Sequence, residues 1–152
     1  MAWAPEVGGS DTALPIGTVC LDMAGPTLDE HQADEILSVC RTVVGDELRS
    51  ITYFNEATAD QLYLRSDLDR TADLTGFADL ERAGFRSQIA YDNSQLGEYL
   101  GTVRMFENGF LTRVIDGQHG VWVTTDGMSI DRFEEVVAAL RPVLSEFENI
   151  TE

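Results

Sequence analysis

Two runs rich in β-branched and aromatic residues, Thr102–Glu107 (TVRMFE) and Phe110–Ile115 (FLTRVI), meet across Asn108-Gly109. An Asn-Gly pair between such runs is the strongest short-range hairpin signal, because both turn positions need positive φ. A third run, Gly120–Thr124 (GVWVT), follows through Asp116-Gly117-Gln118-His119, and Asp126-Gly127 closes the series. A lone hairpin is barely stable in water, so a chain that encodes one must also supply more strands and a cover for them.

Both are legible upstream and downstream. Leu48–Phe54 (LRSITYF) and Gln61–Arg65 (QLYLR) read as two strands joined through the polar stretch Asn55–Asp60. Before them, Ile36, Leu37, Cys40, Val43 and Val44 recur at helical spacing, with Thr27 and Glu30 at capping-box distance and Gly45 as a stop. Residues 67–82 carry Leu68, Leu74, Phe77 and Leu80 among many acids and predict a second helix, weakened by Gly76. The stretch Gly84–Gly97 reads as a connection with one helical turn. Ser129 caps a last helix with Ile130, Phe133, Val136, Val137, Leu140 and Leu144 on one stripe, and Pro142 is expected to bend or shorten its end.

The expectation is one α+β domain over residues 27–147. It holds a five-stranded antiparallel sheet with helices on its faces, in the order α-β-β-α-β-β-β-α. Residues 1–26, rich in Gly, Ala and Pro, are expected to form a flexible N-terminal tail with one strand near Thr18–Leu21, and residues 148–152 a C-terminal tail. This order resembles the Roadblock/LC7 fold, a relative of profilin-like and PAS-like domains. Such a likeness implies a fold and little about a task.

Composition speaks about the solvent. The chain has no lysine, and its ten basic residues, all arginine, face 27 Asp and Glu for a formal charge of -17 on 152 residues. Such a charge repels itself strongly in dilute buffer, and a Debye length of about 3 Å near 1 M salt removes most of that repulsion. A salt-rich, haloarchaeal-type cytoplasm is the expected home. Ten scattered arginines make no basic patch of the kind that binds nucleic acid. No basic start with an apolar core marks a signal peptide, and no run approaches 18 apolar residues, so no membrane partner is expected. Cys20 and Cys40 lack CxxC spacing; Cys40 falls in the first helix's apolar stripe and reads as a small core residue.

LRSITYF (Leu48–Phe54), LYLRSDL (Leu62–Leu68) and TVRMFENG (Thr102–Gly109) resemble the marker segments of a group of small, acidic haloarchaeal proteins of unknown function. The likeness covers roughly residues 33–145, and Gly76 and Gly84–Asn93 fit it less well. It implies salt adaptation and brings no activity.

No catalytic set stands out. His31 reads as exposed in the first turn of a helix and His119 as a turn residue, with no nucleophile elbow for either to serve. Asp67, Asp69 and Asp73 imitate a calcium loop, but Ala72 stands where glycine is needed and Ala78 where a bidentate Glu belongs. These acids read as the hydrated side of the second helix. No phosphate-binding glycine motif occurs, and no cofactor or metal is expected.

One constellation remains. A turn at Asn108-Gly109 places Glu107 opposite Phe110 and Arg104 opposite Arg113, two like charges side by side. Either each guanidinium forks into a carboxylate of a neighbouring element, or the two form an anion-binding spot. Tyr53 and Phe106 are the strand aromatics considered for an exposed or inter-subunit surface. An open sheet has two unpaired edges. The expected function is thus a non-enzymatic, dimeric protein-interaction or regulatory module, a homodimer joined through Thr102–Glu107 or the second helix. The alternative is a PAS- or profilin-like sensor with a small ligand between sheet and helix.

Overall fold

A computed structural model describes residues 18–19, 28–69, 77–87 and 94–150. The elements are β1 (Thr18–Val19), α1 (Glu30–Val44), β2 (Leu48–Phe54), β3 (Ala59–Leu64), α2 (Phe77–Arg82), α3 (Gly84–Ser87), β4 (Thr102–Phe106), β5 (Gly109–Asp116), β6 (His119–Thr125) and α4 (Ile130–Ile150). The sheet is antiparallel in the order β1-β3-β2-β6-β5-β4. The five expected strands and the α-β-β-α-β-β-β-α order are present. To them the two residues of β1 add a sixth strand, pairing Thr18 with Asp60 and Val19 with Ala59.

The alternation of each strand sends its side chains to two differently covered faces. Ile51, Tyr53, Val114, Val121 and Val123 meet α1 and α4 through Ile36, Cys40, Val136, Leu140 and Leu144. We call this the long-helix face. Phe54, Leu111, Ile115 and Trp122 form a second, smaller cluster with Phe85 and Phe77 of α3 and α2, the short-helix face. Burial pushes the Cys40 thiol up to about 12, so it stays protonated and behaves as the small apolar residue its helical spacing implies. Cys20 lies outside the described residues.

Several local expectations shift. The cap of α1 is Asp29, not Thr27. Its carboxylate accepts from the Gln32 amide at 2.8 Å and the Gln32 side chain accepts from the Asp29 amide at 3.0 Å, a complete capping box. Residues 66–68 form a turn in place of the expected helix start, because Arg65 draws Asp67 (2.7 Å) and Asp126 (2.8 Å) to itself. That ion cluster depresses the Asp67 carboxyl below its ordinary range. Pro142 does not end α4, which runs on to Ile150, beyond the expected boundary at Phe147. The proline is exposed there.

The hairpin at Asn108-Gly109 also departs from the expected register. Its turn is Glu107-Asn108, with Phe106 opposite Gly109, so Arg104 faces Leu111 and Arg113 faces Thr102. Gly109 is needed for space, not for a positive φ. A Cβ at that position would run into the Thr125 carbonyl oxygen of β6. The following turn does use the conformational freedom of glycine: Gly117 has φ 64.

Candidate functional site

β4 is an edge strand whose outer rim no described strand pairs. Three of its five side chains are apolar and exposed: Val103 at 42%, Met105 at 79% and Phe106 at 51%. Leu80 of α2 adds a further exposed leucine at 64%. Val103 and Met105 project to the long-helix face, while Phe106 lies on the short-helix face, stacked on Phe77 with centroids 6.2 Å apart and planes at 9°. A strand edge that combines unpaired backbone groups with apolar side chains is a template for another chain.

Behind this edge the two arginines converge, through the register rather than by direct opposition. Arg104 and Arg113 stand diagonally on the short-helix face, and both reach the same carboxylate. The Arg104 Nε donates to Glu81 Oε2 at 2.7 Å and an Arg113 terminal nitrogen donates to Glu81 Oε1 at 3.0 Å. Glu81 comes from α2 and is 1% exposed; Arg113 is 5% exposed. The other Arg113 terminal nitrogen donates to the Tyr99 hydroxyl (3.2 Å) and Thr102 Oγ1 (3.0 Å), which bond each other at 2.6 Å. The guanidinium lies over Gly84, where any Cβ would collide with it. A buried guanidinium requires this degree of pairing, because an uncompensated charge there costs several kcal/mol, of order 3–5. Its Nε is buried without a hydrogen-bond partner. The bridge carries two positive charges against one negative. Arg104, with a side chain 42% exposed, is at once anchored by Glu81 and reachable from solvent.

Of the four residues singled out in the sequence, the structure brings Arg104, Arg113 and Phe106 to one end of the short-helix face. Tyr53 is elsewhere. It is 2% exposed on the long-helix face, and its hydroxyl meets His119 Nδ1 at 2.7 Å. His119 is not in the turn, as expected, but is the first residue of β6, 9% exposed and edge-on to Phe147. The pair satisfies two polar groups inside the core, which neither residue's neighbours in sequence reveal. Sequence reasoning also missed Glu81, one acid among many; its position four residues after Phe77 on a short helix was the available signal. Among the described residues no cluster of three or more His, Cys, Asp or Glu could hold a metal ion. No described helix is long and apolar enough to cross a membrane.

On the other side of β4, a groove of about 690 Å³ runs between the strand and α4. Leu100, Val103, Phe133, Val137, Ala138 and Pro142 line it, with Asp116, Glu134 and Arg141 at its rim.

No curated protein matches the sequence. Among solved structures, the chain is similar to MglB of Myxococcus xanthus, with a TM-score of 0.54 and 14% identity over 80% of this chain and 96% of that one. At that identity the likeness shows the fold, Roadblock-like as the element order implied. Residues 34–145 match the model of a domain of unknown function, DUF7522, close to the span marked out by the three sequence segments, and the chain belongs to that family.

Proposed function

We propose that this protein is a non-enzymatic regulatory docking domain that pairs with a second copy through β4 and α2, in the cytoplasm of a salt-adapted, haloarchaeal-type cell. The observation that carries the reading is the rim of β4, which no described strand pairs, with Val103, Met105 and Phe106 exposed along it and Leu80 exposed on α2. Arg104 and Phe106 are the contact residues on the short-helix side, and Arg113 fixes Arg104 through Glu81. Tyr53 contributes from within the core by holding His119. A shared, Roadblock-like architecture supports interaction over catalysis. Sensing of a small ligand between the sheet and the long helices is the lesser reading, since Ile36, Cys40, Val136, Leu140 and Leu144 already fill that layer.

Sedimentation velocity in about 2 M KCl, where surface charges are screened, tests the pairing. The full chain should sediment as a dimer and Met105→Glu as a monomer with the same circular-dichroism spectrum. A wild-type monomer at every concentration sinks the proposal. The salt-rich setting has its own check: the melting temperature should fall steadily as KCl is dialysed away, and a melt indifferent to salt would remove it.

A further inference from the structure

The long-helix face of the sheet is five strands wide from β3 to β4, yet two long helices lie on it. Strands stand about 4.8 Å apart and a helix with its side chains is about 10 Å across, so one helix covers roughly two strands. α1 packs over β2 and β3, and α4 over β5 and β6. Among the described residues the face of β4 is left over. The groove beside α4 is that uncovered width, and Gly101 shapes its wall, since a Cβ there would press to 3.0 Å from Val137.

The polar side chains of the groove are Asp116, Glu134, Arg141 and Ser145. Pro142 has no amide N–H, so the Ala138 carbonyl, four residues earlier on the same wall, lacks its ordinary intrahelical donor. Glu134 stands one further turn back on α4 and is exposed; Asp116 lies at the end of β5. The cation present, Arg141, is already engaged: it donates to the Tyr99 carbonyl at 3.3 Å and to Glu98 at 2.7 Å, and lies 3.9 Å from Asp116. What the groove offers is an apolar floor, two carboxylates and a backbone acceptor without its usual donor.

We propose that this groove docks an amphipathic helix of a partner protein, with its apolar stripe between β4 and α4 and its arginine or lysine side chains on Glu134, Asp116 and the Ala138 carbonyl. Helix-in-groove recognition uses anchors at i, i+3, i+4 and i+7, a spacing suited to a slot alongside a helix. The inference extends the docking-domain reading to a second surface and rests on it, but the two fail separately, because the α2 part of the dimer surface lies across the sheet from the groove.

Fluorescence anisotropy of the full chain with a synthetic peptide tests it. The probe is a roughly 18-residue helix former with leucines at that spacing and arginines on both flanks; the control peptide carries glutamates there. The arginine peptide should bind saturably and the glutamate peptide about tenfold or more weaker. Val137→Glu should weaken the arginine peptide by about tenfold or more. Glu134→Arg, at an exposed site where folding is not at stake, should do so in part and restore some binding of the glutamate peptide. Leu80→Glu, on the helix across the sheet from the groove, should leave peptide binding intact even where it weakens dimers. Equal binding of both peptides, equal binding by Val137→Glu and Glu134→Arg, or no saturable binding overturns the proposal. So does a benzoylphenylalanine cross-linker at position 134 that captures a second copy or residues 1–27 of the same chain.

Discussion

The two edges of the sheet face the same physical problem and meet it differently. At the β3 edge, every side chain from Ala59 to Leu64 is buried or half-buried. β1 pairs with Ala59 and Asp60, Leu62 and Tyr63 pack on the main core, and the Arg41 guanidinium lies 5.1 Å from the Tyr63 ring centroid. At the β4 edge, four of the five residues are exposed and three of those are apolar. Among the described residues, one edge is closed and the other is left as a surface. The difference shows that the open edge is not a product of weak packing. Its back is fixed by a buried carboxylate gripping two arginines, a costly arrangement that holds the edge rigid while leaving it bare.

Removing that grip should have the largest effect. Glu81→Ala leaves the Arg113 charge buried and unpaired and should cost about 3–5 kcal/mol in chemical denaturation, whereas Arg104→Ala, on the half-exposed partner, should cost about 1 kcal/mol or less. Equal losses from the two substitutions would show that the bridge does not support the edge. Gly109→Ala attacks the same edge through sterics. Its Cβ meets the Thr125 carbonyl, so β5 must shift, and a loss of about 1–3 kcal/mol is expected in the same measurement. A neutral outcome would mean the turn, not the close approach, selects glycine.

The smallest effect belongs to the closed edge. Burial raises the Asp60 carboxyl above its ordinary value of 3.8. The folded chain therefore holds this proton more tightly than the unfolded one, so ionised Asp60 disfavours folding at neutral pH and the penalty fades as pH falls through the folded value towards 3.8. Asp60→Asn should melt slightly higher than wild type at pH 7, with the advantage shrinking on acidification. An advantage that is constant with pH would assign the effect to something other than the carboxylate charge.

Most of the architecture is legible in the sequence. Period-two alternation and helical stripes report which residues face apolar surroundings, and burial against any partner gives the same pattern, so the strands and the two long helices were found in order. The candidate site was legible only in part. Arg104, Arg113 and Phe106 stood out as side chains in β runs, but their meeting place is α2, a helix of six residues too short to show a period. The register slip came from a steric contact between Gly109 and a strand ten or more residues later, which no turn rule contains. Likewise Tyr53 and His119 are separated by 66 positions and are joined by the β2–β6 pairing.

The order of elements, the apolar faces and the charge were set by the sequence alone, because each depends on residues near one another in the chain or on simple sums. Which carboxylate the arginines share, which glycine is there for room, and which of two sheet edges is left open were decided in three dimensions. Those outcomes depend on distances between elements far apart in the chain, and such distances exist only once the core has closed.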